Sequence, residues 1–251
     1  MTGESPLPNL SLSSNLMSTQ VSLLLIKELK SGIFANSEKL PAEVELSEQL
    51  GVSRTVIRDA LSDIEREGFI ERTRGVGTVI NRNIVNLTNR LDLKLEYNEL
   101  ILNSGYHPST DSINLRLETA NEELAGKLDV DLGAEILVCE KRILAGTIPV
   151  IYSFDYLCID LFKEVNYKTI DWSRPIFDIL EKYCGVMVTT DITKVSATNA
   201  DEYIRSKLGL RSGEALILLD EVGYGKPNRP LLRSLEFYTD FFDFFMLRKK
   251  L

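Results

Sequence analysis

The sequence predicts an α+β protein in two parts, a small helical unit with a two-stranded wing followed by a larger domain built on a mainly antiparallel sheet. Three observations carry this. Apolar residues recur at helical spacing to about residue 66, then give way to two short extended runs around glycines. Two segments of the second half repeat one another at a spacing of 80 residues. Short β-prone runs there are interleaved with only a few helical stretches, as in an α+β domain.

The chain has 251 residues, 44% of them hydrophobic, enough for two packed cores. The N-terminus lacks a basic region followed by an apolar run, and no apolar stretch approaches the roughly 18 residues that a membrane span needs. A cytoplasmic protein is expected, with no membrane partner. Cys139, Cys158 and Cys184 are odd in number and widely spaced, so neither a disulfide framework nor a paired metal motif is available. No cofactor, metal or catalytic group is expected. The formal net charge is -8, but residues 1 to 90 hold 10 Lys+Arg against 11 Asp+Glu, so the acid excess lies mostly beyond them. Contact with a polyanion depends on where the basic side chains sit.

Residues 1–15 are rich in Ser, Pro and Asn and read as a flexible leader. Over 16–82 a compact unit follows. Its first helix, about 17–31, carries Val21, Leu24, Leu25 and Leu29 and stops at Gly32. A second opens near Pro41 and closes at Gly51. Ser53 caps a third, because its hydroxyl can accept from the unpaired amides of the next turn. There Ile57, Ala60, Leu61 and Ile64 form a stripe that must be buried, which turns Arg54, Thr55 and Arg58 outward. "FIERT" and "TVINR" are short strands joined by "RGVG".

A polar linker, 83–94, leads to the second domain, 95–251, which begins with a helix near 96–103. "ANEELAGKLDVDLGAEILVCE" (120–140) aligns without gaps with "ADEYIRSKLGLRSGEALILLD" (200–220), and "PVIYSFDY" (149–156) matches "PLLRSLEF" (230–237) with a one-residue slip. The domain reads as a duplication of helix, strand, turn, strand. Thr119 with Glu122 and Thr198 with Asp201 are the expected helix starts, the first as a capping box.

A helix, a turn near "LGVS" and a second helix with Arg and Thr on its first exposed turn form a helix-turn-helix. The DNA major groove admits one α-helix, and an arginine fork can pair with guanine or clamp a phosphate. The alternative is that these arginines pair with Asp59, Asp63 and Glu67 on a solvated face. Residues 40–80, "LPAEVELSEQLGVSRTVIRDALSDIEREGFIERTRGVGTVI", resemble the winged-helix signature of the GntR family of bacterial transcriptional regulators. The resemblance implies double-stranded operator DNA as partner, bound by a homodimer with one half-site per winged helix. It implies DNA contacts at Ser53, Arg54, Thr55, Arg58, Arg74, Gly75, Gly77 and Thr78. Arg66 and Arg72 fall outside those positions and read as partners of nearby acids. The family's basic residue after its "PSE" triplet is Val44 here.

Residues 91–248 resemble, in motif order, the UTRA effector-sensing domain of one branch of that family, which implies a fold similar to chorismate lyase. A small metabolite, a sugar derivative or related compound, would lie between the two halves. The candidate effector residues are Ser109, Lys141, Arg142, Ser153, Asp155, Ser173, Ser234, Glu236 and Tyr238. On their strands 151, 153 and 155 share a face, as do 232, 234, 236 and 238. The family's Arg-x-Arg pair is replaced by Lys141 and Arg142, neighbours that point oppositely, and two further family positions are Leu232 and Thr239. Fewer anion-binding groups than in the family pattern leave room for a less charged or amine-bearing effector.

The leading expectation is a regulator, a repressor, whose effector shifts the separation of the winged helices. Alternatives are a constitutive DNA-binding protein with a purely dimerising second domain, or a lyase-like enzyme. Against the enzyme, the sole histidine, His107, stands beside Pro108 with no Cys or second His spaced to make a nucleophile–base pair.

Overall fold

The computed structural model of the chain describes residues 14–93 and 95–249. The leader therefore lies outside them except for its last two residues, which already belong to the first helix. The chain divides into two compact units, Met1–Leu87 with Leu247–Leu251, and Thr88–Met246.

The first unit runs α1 (Ser14–Ser31), α2 (Glu43–Leu50), α3 (Arg54–Arg66), β1 (Ile70–Thr73), β2 (Gly77–Ile80) and a single turn, α4 (Arg82–Val85). The Glu45 carboxylate accepts from the Ala42 amide at 2.9 Å, which starts α2. Gly51, at φ 65°, ends it in a left-handed conformation that glycine adopts without strain. The Ser53 hydroxyl accepts from the Val56 amide at 3.3 Å and caps α3 as expected. Ile57, Ala60, Leu61 and Ile64 are fully buried, against Val21, Leu25 and Leu29 of α1. Each large side chain among them contributes about 1.5–3 kcal/mol of apolar burial. Ser22, buried where the helices cross, donates to the carbonyls of Ser18 and Ala60. Arg82 donates to the carbonyls of Leu29, Phe34 and Ser37 and so ties α4 to the end of α1. The last described residue, Lys249, donates to the Glu65 and Arg66 carbonyls at 3.1 and 2.7 Å, a cation on the C-terminal turn of α3.

The unit boundary at 87/88 divides the stretch expected to be linker. Arg82–Val85 are helical, while Asn89 and Arg90 are buried in the second unit. Residues 247–251 group with the first unit rather than with the 95–251 domain.

The second unit contains α5 (Tyr97–Asn103), β3 (Pro108–Thr119), α6 (Glu122–Leu128), β4 (Glu135–Ala145) and β5 (Ile148–Cys158). Two 3₁₀ turns, Ile159–Phe162 and Tyr167–Thr169, lead to α7 (Ile176–Ile179), which widens into a π turn at Leu180–Cys184. Then come β6 (Thr190–Asn199), α8 (Glu202–Leu208), β7 (Ala215–Gly225) and β8 (Arg229–Tyr238). The strands form one antiparallel sheet in the order β3-β4-β5-β8-β7-β6. The repeats therefore meet at β5 and β8 in the middle, and each half is the other turned about an axis between them. The outer strands β3 and β6 are not among the elements expected from the sequence, although in β3 Ile113, Leu115 and Leu117 alternate with polar residues as a half-buried strand does.

The helix starts differ from expectation. Asn121, not Thr119, caps α6, accepting from the Leu124 amide at 2.9 Å, and Asp201, not Thr198, caps α8, accepting from Ile204 at 2.8 Å. Both threonines are still in strands, and a carbonyl-bearing side chain two or three residues later stands where the chain turns into the helix. Both helices lie on one sheet face: Leu124 and Leu128 pack on Ile136, Val138 and Tyr156, and Ile204 and Leu208 on Tyr152 and Leu216. The other face is covered at one end by Trp172, Ile176, Ile179 and Leu180, and at the other by Tyr97, Leu100, Ile101 and Phe242.

Candidate functional site

In the first unit, burial of the α3 stripe leaves Arg54, Thr55 and Arg58 exposed on its first turns. Arg58 reaches Glu43 at 3.2 Å, but its side chain remains 58% exposed. Such a pair contributes about 0–1 kcal/mol, so a phosphate or base edge can compete for the guanidinium. Ser53 is engaged through its hydroxyl as the cap. In the wing, Gly75 and Gly77 hold φ of 80° and 101°, and no atom lies within 4 Å of where a Cβ would stand on either, so the tip is narrow and approachable. Arg74 is exposed there, and Thr78 pairs with Arg72 across the hairpin.

Arg72 sends its amide and its guanidinium to the Glu65 carboxylate, at 2.8 and 2.7 Å, and docks the wing on α3. Burial pushes the Glu65 carboxyl up, yet the Arg72 bonds outweigh it and hold it below its ordinary value. Arg66 pairs with Asp63 at 2.9 Å. Sequence reasoning missed Lys39, whose ammonium donates to the Val76 carbonyl at 3.0 Å and brings a second cation to the wing tip. Its only signal is that it precedes the "LP" motif. Val44, in place of the family's basic residue, is exposed.

In the second unit, strand register assembles two polar rows on the face away from α6 and α8. One runs Lys141–Ser153–Glu236–Leu219, the other Cys139–Asp155–Ser234–Glu221–Thr193. The repeat axis exchanges these rows, with Lys141 matched to Glu221, Ser153 to Ser234 and Asp155 to Glu236. Above them opens a cavity of about 430 Å³, bordered by Leu100 and Phe244 on one side and Phe177 and Val188 on the other. A small adjoining recess reaches Ser153, Asp155 and Ser234 and shares Glu236 and Tyr238 with it. The Ser234 hydroxyl donates to Asp155 at 2.7 Å, and Tyr238 to Glu236 at 2.7 Å. Burial, above all, pushes the Tyr238 phenol well above its usual range, so it stays a donor. Cys139 is likewise pushed up by burial, to about 12, and is no nucleophile.

Comparison with known proteins closes the identification. Residues 17–80 match the bacterial regulatory proteins of the gntR family, and residues 103–240, more than half the chain, match the UTRA domain. The chain belongs to the GntR family and carries a UTRA domain. It is 23% identical over 223 residues to the uncharacterized HTH-type transcriptional regulator YurK of Bacillus subtilis (strain 168), covering 89% of this chain and 91% of that one. It is 26% identical over 205 residues to the HTH-type transcriptional repressor NagR of the same organism, covering 82% and 83%. The solved structure of the possible transcriptional regulator YydK, also from Bacillus subtilis, shares the fold with a TM-score of 0.73 at 17% identity, over 95% of this chain and 100% of that one. The family is one of DNA-binding transcriptional regulators, not enzymes. Among the described residues no helix is long and apolar enough to cross a membrane.

Within the UTRA domain the candidate residues separate. Ser153, Asp155, Ser234, Glu236 and Tyr238 line the cavity or its recess. Lys141 lies behind them, 1% exposed, donating to the Arg174 carbonyl at 2.9 Å with Asp155 at 3.9 Å. Ser173 does not present its hydroxyl to the cavity but donates it to Asp171 at 2.6 Å. Its carbonyl accepts from Tyr97 and Thr110. Arg142 is a correction: β4 alternation sends it to the opposite face, where it pairs with Asp111 at 2.7 Å and donates to the Lys207 carbonyl. Ser109 is another, an exposed residue opposite Leu144, on the strand position whose neighbour Thr110 takes the cavity side.

Sequence reasoning also missed Asp191, Thr193 and Glu221. The first two sit on β6, which carries no strand signal, and Glu221 follows from applying the 80-residue spacing to Lys141.

Proposed function

We propose that the chain is a transcriptional repressor that binds operator DNA as a homodimer and changes its operator affinity when a small metabolite occupies the 430 Å³ cavity of the UTRA domain. The observation that carries this is the joining of two features in one chain. One is an exposed arginine cluster at the start of a capped helix beside a glycine wing. The other is a cavity floored by polar residues of β6, β7 and β8, with a recess that reaches Ser153 and Asp155 of β5. The volume suits a small ligand. Repression is supported by the likeness to NagR, itself named a repressor. The effector acts by binding more tightly to one of two operator-affinity states, since a ligand indifferent to them shifts nothing.

Footprinting on the DNA upstream of the chain's own gene, with and without a metabolite library, tests the reading. Protection of two symmetric half-sites that some library member alters is the expected result. Operator affinity indifferent to every member leaves a constitutive regulator. Arg58→Ala is expected to weaken operator binding by about 1–3 kcal/mol, read by gel shift, with an unchanged circular dichroism spectrum.

A further inference from the structure

The wing is wider than its two named strands. Residues 38–40 lie alongside β2: the Ile80 amide donates to the Glu38 carbonyl at 2.8 Å, the Leu40 amide donates to the Thr78 carbonyl at 2.9 Å, and Lys39 bridges to Val79 in antiparallel register. Successive side chains of an extended segment take opposite faces, so the burial of Leu40 sends Lys39 to the solvent face. A lysine on an edge strand can serve only to discourage further pairing, its side chain then extending into water. Here the ammonium instead reaches along the wing to its tip and donates at 3.0 Å to the carbonyl of Val76, the residue between Gly75 and Gly77.

The kind of acceptor matters. Arg58, Arg66 and Arg72 each bond a carboxylate, of Glu43, Asp63 and Glu65, so part of their charge is answered inside the protein. A carbonyl is neutral, and it fixes where the Lys39 ammonium stands without cancelling its charge. An ammonium has three donors, so the bond to Val76 leaves two that can turn to an outside anion. Glu71, the acid on the same face of the wing, stands two strands away, about 10 Å between backbones. The tip itself is open at Gly75 and Gly77, which lets a nucleic-acid backbone come close, and Arg74 is exposed on the same turn. Two cations thus stand on one narrow tip, while duplex DNA carries a negative charge for about every 1.7 Å of its axis.

We propose that Lys39 is a DNA-binding residue, whose ammonium, held on the Val76 carbonyl, meets a backbone phosphate beside the wing tip. This rests on the winged helix being the part that binds operator DNA. The contact is a point charge on a phosphate, so it anchors the wing and reads no base.

The test uses the full-length protein and the duplex it selects from a randomised pool, with an unrelated duplex of the same length beside it. Gel shifts over a range of salt give the slope of log affinity against log salt. Lys39→Met keeps the aliphatic stem and loses the charge. It is expected to flatten the slope by about 0.9 and to weaken binding about eightfold at about 0.1 M salt, the worth of one phosphate contact there against about 1 M. The loss should be the same on both duplexes, because a phosphate carries no sequence. Lys39→Arg should keep the parent's slope. A staple that only shapes the wing would lower the melting temperature of Lys39→Met and leave the slope as it was, and that result overturns the assignment. A loss confined to the selected duplex overturns it too, since it marks a base contact. Arg58→Ala is measured alongside: if it weakens binding and Lys39→Met does not, the Lys39 contact falls and operator binding stands. If the pool yields no preferred duplex, the operator reading falls and the Lys39 contact with it.

Discussion

Glu140 lies 3% exposed on the helix-bearing face of the sheet. Its carboxylate accepts from Arg116 at 2.7 Å, from Asn114 at 3.4 Å, and from the phenols of Tyr152 and Tyr203. Its counterpart in the other repeat, Asp220, accepts from Arg233 at 3.0 Å and Lys127 at 2.5 Å. Burial pushes the Glu140 carboxyl up, but the bonds from Tyr152, Tyr203 and Asn114 and the charge of Arg116 outweigh it and leave it below its ordinary value. Asp220 is lowered in the same way. Because the folded value is the lower one, the stability Glu140 confers is complete above the unfolded value and is lost as pH falls through the folded value. Glu140→Gln is therefore expected to melt lower than the parent at about pH 7, and the gap should close as pH drops below about 4.5. A gap that is constant with pH would show that the charge of Glu140 plays no part.

At the scale of the element, two glycines fail in different ways when substituted. Gly77 has φ 101° and open space around it, so Gly77→Val costs about 1–2 kcal/mol through backbone strain alone. Gly223 has an ordinary backbone, but an added Cβ would stand 2.6 Å from Leu232 and 3.0 Å from the Asp191 carboxylate. Gly223→Ala should therefore disturb the cavity wall, lowering the melting temperature and ligand affinity while leaving operator binding in the absence of ligand intact. Thermal melts and gel shifts separate the two cases.

The helices α2 and α3 and the wing are legible in the sequence because each carries local punctuation, a cap, an apolar stripe or a pair of glycines. The central strands are legible because they repeat. β6 is not, since Ile192 and Val195 keep no regular alternation, whereas in β3 Ile113, Leu115 and Leu117 alternate with polar residues without a continuous apolar run. Nor is the cover from 159 to 184, whose short turns are fixed by packing of Trp172, Ile176 and Leu180 rather than by their own sequence. That Lys141 and Arg142 take opposite sides of the sheet follows from alternation, but which side holds the cavity does not. That depends on the helices α6 and α8 occupying the other face.

Across the whole molecule, the acid excess and the basic cluster belong to different stretches of sequence, which reconciles a net charge of -8 with a polyanionic partner. Operator binding should weaken steeply with salt, the logarithm of affinity falling by about 0.9 per neutralised phosphate for each unit of log salt. Arg74→Ala is expected to flatten that slope by about one such unit if Arg74 meets a phosphate, and an unchanged slope would remove it from the interface.

Each repeat also lends its helix to the other: Lys127 of α6 binds Asp220, and Tyr203 of α8 binds Glu140. A half-domain expressed alone would therefore lose one partner of its acid, Tyr203 for Glu140 or Lys127 for Asp220, and keep those from its own strands.

Lys249 caps the carbonyls at the end of α3, and Leu247 comes within 2.6 Å of where a side chain on Gly68 would begin. The UTRA domain is thus, in the order of the chain, an insertion between two parts of the DNA-binding unit. A substitution at Lys249 would be felt first at the C-terminal turn of α3, the helix proposed to meet the operator. Removing the last few residues should change operator affinity before it changes what the sensor binds.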